Sequence, residues 1–143
     1  DEMVFDDATP GPWHVGFSEP SGRWSYRSPE AWLVRPGGTT DIELQISLQK
    51  RSVLFVDPES GAPLRQVEVA WRMGRRFPGP GGRMYGTHGD SAITDDEGRL
   101  TLTLPASEIR FYRGSPAEWD APHAEVPWSS GATDLRVELP DLP

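Results

Sequence analysis

The sequence predicts an all-β antiparallel sandwich, and three observations carry that expectation. Short apolar runs recur between Asp/Pro/Gly turns, as in Val53-Leu-Phe-Val56, Val67-Glu-Val-Ala-Trp71 and Leu100-Thr-Leu-Thr-Leu104. Gly and Pro number 15 each in 143 residues, a density of chain breaks that suits short strands better than long helices. Apolar residues alternate with polar ones over several stretches, the period of a half-buried strand.

In chain order, residues 1–12 hold Asp1, Glu2, Asp6 and Asp7, the densest acidic cluster, and read as an extended arm. Residues 13–17 alternate and are expected to form a strand. Residues 24–26 and 31–35 are further strand candidates, separated by Ser28-Pro29. In residues 41–48, Ile42, Leu44, Ile46 and Leu48 fall on one face with strict alternation, which predicts a strand. Val53 to Val56 is continuously apolar, as in a strand covered on both faces. Val67, Val69 and Trp71 share the face of the next strand. Residues 72–91 then read as an insertion well beyond hairpin length. Leu100, Leu102 and Leu104 line another strand, and residues 109–112 another. Residues 107–110 are the one segment that could make a helical turn. Residues 113–128, broken by Pro116, Pro122 and Pro127, are expected to be a loop holding Trp119, His123 and Trp128. Leu135, Val137 and Leu139 mark the last strand.

An internal echo runs through the chain. Gly37-Gly-Thr-Thr-Asp41 before an alternating segment resembles Ser130-Gly-Ala-Thr-Asp134 before the last strand. Ser28-Pro-Glu-Ala-Trp32 and Ser115-Pro-Ala-Glu-Trp119 precede them in the same order. The organisation expected is therefore an arm over 1–12, N-terminal strands over 13–48 that form the second half of a preceding sandwich, and a complete sandwich over 49–143.

Composition bounds the function. Without cysteine there are no disulfides, thiol nucleophiles or thiolate metal sites. A net charge of −8 is wrong for a whole-surface nucleic-acid binder. No run of 18 apolar residues is present. One lysine against thirteen arginines, with no asparagine, is the usage of a GC-rich bacterial genome. A chain that opens at Asp1 without Met is either an excised piece or one whose leader was removed; the second reading makes it a processed, extracytoplasmic protein of the periplasm or cell surface.

Asp57-Pro-Glu-Ser-Gly-Ala-Pro-Leu64, with Val67 and Val69, then Thr94-Asp-Asp-Glu-Gly-Arg99, resemble the two turn motifs of the carboxypeptidase regulatory-like domain family. The resemblance spans residues 52–139. It implies a prealbumin-like (transthyretin-like, Ig-like) sandwich of about seven strands, here with additional N-terminal strands. It also implies a non-catalytic accessory module of secreted or envelope proteins, with no cofactor. The 72–91 insertion and the first 48 residues depart from that pattern.

Two clusters stand out as partner-binding candidates. Arg72, Arg75, Arg76 and Arg83 share one stretch with Phe77, Met84 and Tyr85, a mixture enriched in interface cores. An acidic protein patch or anionic lipid head groups would complement it. Trp119 and Trp128 would either clamp their loop onto the sandwich or anchor a protein or glycan. The function expected is a non-catalytic structural or interaction module docking onto a larger cell-envelope assembly. The alternative is a carbohydrate-binding module that uses the loop tryptophans. An enzyme with a metal centre drawn from Tyr85, His88, Tyr112 and His123 is a weaker reading, because no His-x-His or His-x-x-x-His spacing exists.

Overall fold

The computed structural model describes residues 4, 8–20, 24–27, 31–73, 77–78, 84–85, 89–118, 120–128 and 133–142. All regular structure among them is β, and its centre is a nine-residue strand whose neighbours come from opposite ends of the chain. Thirteen strands follow in order: β1 Gly11–Trp13, β2 Gly16–Ser18, β3 Ser25–Arg27, β4 Trp32–Val34, β5 Leu48–Val56, β6 Glu68–Met73, β7 Phe77–Pro78, β8 Met84–Tyr85, β9 Gly89–Ile93, β10 Arg99–Pro105, β11 Ser107–Arg113, β12 Ala124–Trp128 and β13 Asp134–Glu138.

Seven of these build the sandwich. One sheet runs β10-β5-β13 and the other β12-β11-β6-β9. All pairs are antiparallel except β13 on β5, which is parallel, with Leu135 beside Val53 and Val137 beside Phe55. The two sheets meet through Val53, Phe55, Leu102, Leu104 and Val137 on one side and Val69, Trp71, Met73, Ile109, Phe111 and Trp128 on the other, all buried. Phe55 and Phe111 pack edge to face across the layers with centroids 5.1 Å apart. Such a pair adds about 0.5–1.5 kcal/mol beyond the apolar area it removes from water. Trp128 extends the stack, 6.3 Å from Phe111, and its Nε1–H donates to Gln49 O at 3.0 Å, so its polar atom is satisfied inside the core.

Two turns lock the sheets together. At the first, Asp57 Oδ1 accepts from the amides of Glu59 and Ser60 and from the Ser60 hydroxyl. Gly61 takes φ +70°, a left-handed conformation a side chain disfavours. At the second, Asp95 Oδ1 accepts from the amides of Glu97 and Arg99. Gly98, at φ +79°, sits where a Cβ would lie 3.0 Å from Pro63 Cβ and 3.1 Å from Leu64 N. The turns therefore touch. Buried Thr94 ties them, its hydroxyl donating to Leu64 O and accepting from Val67 N.

Several expectations change. The alternating segment 41–47 joins no ladder, and regular pairing begins at Leu48. A strand needs a hydrogen-bonded neighbour as well as a pattern, and none of the described strands pairs with it. Residues 13–17 are not one strand but the end of β1 and the start of β2. The 72–91 segment is not all loop: β6 continues to buried Met73, β9 starts at Gly89, and β7 pairs with β8 between them. Residues 107–110 open strand β11 rather than a helical turn. Residues 124–128 form β12 rather than loop. Its Pro127 is tolerated because β12 is an edge strand, where a missing N–H leaves no ladder bond unmade.

The N-terminal strands make two separate ribbons, β1 with β4 and β2 with β3. Trp24 packs against the sandwich core and is 5.7 Å from Phe17.

Candidate functional site

Three surfaces warrant consideration: the outer face of the four-stranded sheet, the cleft between the sheets, and the N-terminal ribbons.

Alternation on β6 and β11 sends Val69, Trp71, Met73, Ile109 and Phe111 inward, so Arg72, Arg110 and Tyr112 stand on the outer face. Register brings them together: Arg110 lies beside Arg72 on one side and Glu125 on the other. Arg110 Nε pairs with Glu125 Oε1 at 2.8 Å, and His123 Nε2 approaches the same oxygen at 3.7 Å. Tyr112 is fully buried although it points away from the core. Arg72 and His123 flank its ring. Arg72 lies over its ring at 5.3 Å and donates from Nη2 to Pro116 O at 2.9 Å, while the His123 ring sits 5.4 Å away. Burial pushes the Tyr112 phenol up, against the pull of the neighbouring Arg72 and Arg110 guanidinium groups. Glu68 Oε1 accepts from Ser91 and Ser115. This arrangement is a clamp. It fastens the β11–β12 connection onto the sheet with cation–π, hydrogen-bond and ionic contacts.

Residues of β6, β9 and β10 line a cavity of about 250 Å³. Trp71, Ala92, Leu100, Leu102 and Leu104 form its apolar lining, with Asp90 and Thr103 among its polar residues.

On the ribbons, apolar side chains face solvent. Trp13 is 39% exposed, Phe17 40% and Leu33 61%. They sit on β1, β2 and β4, each in a ladder of only two strands.

The candidates from sequence fare differently. Arg72 belongs to the clamp, engaged with Pro116 and Tyr112, and is not part of a freely presented arginine patch. Phe77 and Tyr85 are register partners in the β7–β8 ladder. Arg75, Arg76, Arg83 and Trp119 lie outside the described residues, as does His88. Trp128 is 1% exposed and holds the core, so its place as a surface anchor is corrected, and the glycan reading loses one of its two platforms. Tyr112 and His123 do meet, but among the described residues no three His, Asp or Glu side chains gather to hold a metal. The Arg110–Glu125 pair and the exposed ribbon residues Phe17 and Leu33 are not among the sequence candidates. The pair becomes visible only once β11 and β12 are in register. The exposed ribbon aromatics are signalled by Trp13 and Phe17 in the segment 13–17.

No protein-family model matches this chain, and no curated protein matches its sequence.

Proposed function

We propose that this chain is a non-catalytic interaction module that docks onto a larger protein assembly at the bacterial cell envelope. The observation that carries the reading is that Trp13 and Leu33, on opposite faces of the β1–β4 ribbon, and Phe17, on the β2–β3 ribbon, stand in solvent beside a well-packed sandwich. Large apolar side chains left in solvent on both faces of a short ribbon are surface that a second polypeptide can cover. Two-stranded ribbons of three residues are marginal alone in water, so a covering partner stabilises them.

The prealbumin-like, carboxypeptidase regulatory-like reading of the sandwich draws support from its seven strands. It is also supported by the two Asp/Gly turns whose motif residues meet through Gly98, Pro63 and Thr94. The arginines at 75, 76 and 83 supply a second docking element for an acidic protein patch or an anionic membrane surface.

The test is gentle purification from the native host with mass spectrometry of what travels with the chain, for the wild type and for Leu33→Glu. A stoichiometric protein partner that the variant loses, at unchanged melting temperature, supports the reading. A wild-type chain that travels alone overturns it. In a parallel variant, Arg75, Arg76 and Arg83 are changed to Ser while Arg72 is kept. Weaker docking with unchanged stability is expected, and unchanged docking removes that segment from the account.

A further inference from the structure

Among the described strands the sandwich ends in four edges, β9, β10, β12 and β13, and three of them carry a device against pairing with a further strand. β12 holds Pro127, which has no N–H to offer a ladder. β13 leaves Asp134, Arg136 and Glu138 exposed along its length. β9 sets Asp90 cross-strand from the inward-facing Trp71, so a carboxylate stands on the inner side of that edge. β10 has no such device. It pairs with β5 over seven unbroken positions from Arg99 to Pro105, without a bulge. Between those ends, Leu100-Thr-Leu-Thr-Leu104 carries neither charge nor proline. The cavity described above is lined by all five of these residues, inward leucines and exposed threonines alike, so open space runs along the free edge of β10.

The segment from Leu100 to Leu104 is the same sequence in either direction. Two copies of β10 laid antiparallel about a two-fold axis at Leu102 would therefore match at every position. Leu102 meets Leu102, Leu100 meets Leu104 and Thr101 meets Thr103, as a self-complementary contact requires. The leucines extend the inner layer, and the Thr–Thr pairs on the outer face are favourable cross-strand neighbours. Charge suits the arrangement as well. Arg99 of one copy meets Pro105 of the other, and the two Arg99 positions lie six residues, about 20 Å, apart along the ladder. The same operation on β13 would set Arg136 against Arg136 and Asp134 against Glu138, like charge against like.

We propose that β10 is a dimerisation edge. Two copies of this chain pair β10 to β10, antiparallel, and join their three-stranded sheets into one of six strands. The contact uses one surface of each copy and closes at two. It goes beyond the docking function above and does not rest on it.

The chain has no cysteine, so engineered thiols report on the register directly. Thr101→Cys and Thr103→Cys are mixed and oxidised in air, and each is also oxidised alone. Residues 101 and 103 of different copies face one another, whereas like positions are diagonal, about 7–8 Å apart and beyond disulfide reach. The mixture should give about tenfold more disulfide dimer than either variant alone, with the 101–103 link identified by mass spectrometry. Sedimentation velocity of the wild type up to about 1 mM should show a reversible monomer–dimer equilibrium. Changing Thr101 and Thr103 together to Lys sets like charges opposite each other across the axis. Because both residues are exposed, circular dichroism should be unchanged while the dissociation constant rises about tenfold or more.

A wild type that stays monomeric to about 1 mM overturns the proposal. So does a dimer that the double-lysine variant keeps, or growth past two copies. Should the lysine variant fail to fold, the thiols decide: like-with-like disulfides that equal the mixed one refute the register. A foreign partner lost with Leu33→Glu and a dimer lost with the two lysines are separate results, so either reading can fail alone.

Discussion

Gly61 and Gly98 have nearly the same backbone conformation, φ +70° and +79°, in very different surroundings, and that contrast gives a quantitative test of how the two turns hold the sandwich. Placing alanine at Gly61 costs about 1 kcal/mol for a side chain in the left-handed region. A Cβ there meets only Arg136 Nη2 at 3.7 Å, an ordinary contact with a side chain that can move. Alanine at Gly98 carries the same conformational cost. Its Cβ also comes within 3.0 Å of Pro63 Cβ, 3.1 Å of Leu64 N and 3.2 Å of Phe55 O. Carbon atoms pack best near 3.5–4.0 Å. All three neighbours belong to backbone or to a proline ring, so none can rotate aside. Overpacking of that kind adds about 1–3 kcal/mol, for a total of about 2–4 kcal/mol. At roughly 4 °C per kcal/mol for a chain of this size, Gly61→Ala should lower Tm by about 4 °C and Gly98→Ala by about 8–16 °C. Thermal and urea unfolding followed by circular dichroism measures both. Equal losses, or a larger loss at Gly61, would refute the claim that the turns are packed against each other at Gly98.

Other expectations follow from the same contacts. Thr94→Val removes a buried hydroxyl that serves Leu64 O and Val67 N. Leaving such groups unmet should cost about 2–4 kcal/mol in urea unfolding, and a loss under about 0.5 kcal/mol would contradict the assignment. Trp128→Ala opens the core and strands Gln49 O. A loss of about 3–5 kcal/mol is expected, whereas a residue acting only at a surface would leave stability within about 0.5 kcal/mol. The Tyr112 phenol is raised in the fold by burial, so its contribution is present below the unfolded value and is lost as pH rises through and beyond about 10. Tyr112→Phe should flatten the alkaline fall in Tm, and an unchanged alkaline profile would count against the clamp. The Ser60 amide, followed by the Ser60 hydroxyl, holds the Asp57 carboxyl below its ordinary value of 3.8, so its contribution is present above that value and is lost as pH falls through the lower, folded one. Asp57→Asn should make Tm less sensitive to acid, as thermal melts across the acidic range would register.

Much of the fold could be read from residues because its decisive signals are local. The Asp/Gly turns at 57–64 and 94–99 announce themselves within a few positions, and the alternation at Leu100, Leu102 and Leu104 needs no knowledge of the partner strand. Where local rules compete, reading fails. Pro127 looks like a break, but the alternation of Ala124, Val126 and Trp128 continues through it, and only edge placement reconciles the two. Arg72 looks like the start of a charged loop. Met73, buried one position later, shows that it is the outward residue of a continuing strand. Residues 41–47 show the opposite failure, a faultless strand pattern without a neighbour. The outer-face cluster was illegible for a further reason. Arg110 and Glu125 face one another only through cross-strand register, which no single segment encodes.

The parallel seat of β13 on β5 has a mechanical consequence. Tension entering at Leu48 and leaving at Glu138 pulls the start of one strand against the end of its neighbour while both run the same way. Such a load shears the ladder lengthwise instead of peeling it bond by bond. All the rungs from Ser52–Asp134 to Val56–Glu138 bear it at once, with the Val53–Leu135 and Phe55–Val137 contacts beneath them. A module strung between neighbours would therefore pass force along its axis through its strongest direction. The two ribbons ahead of β5, whose rungs are few, would yield first.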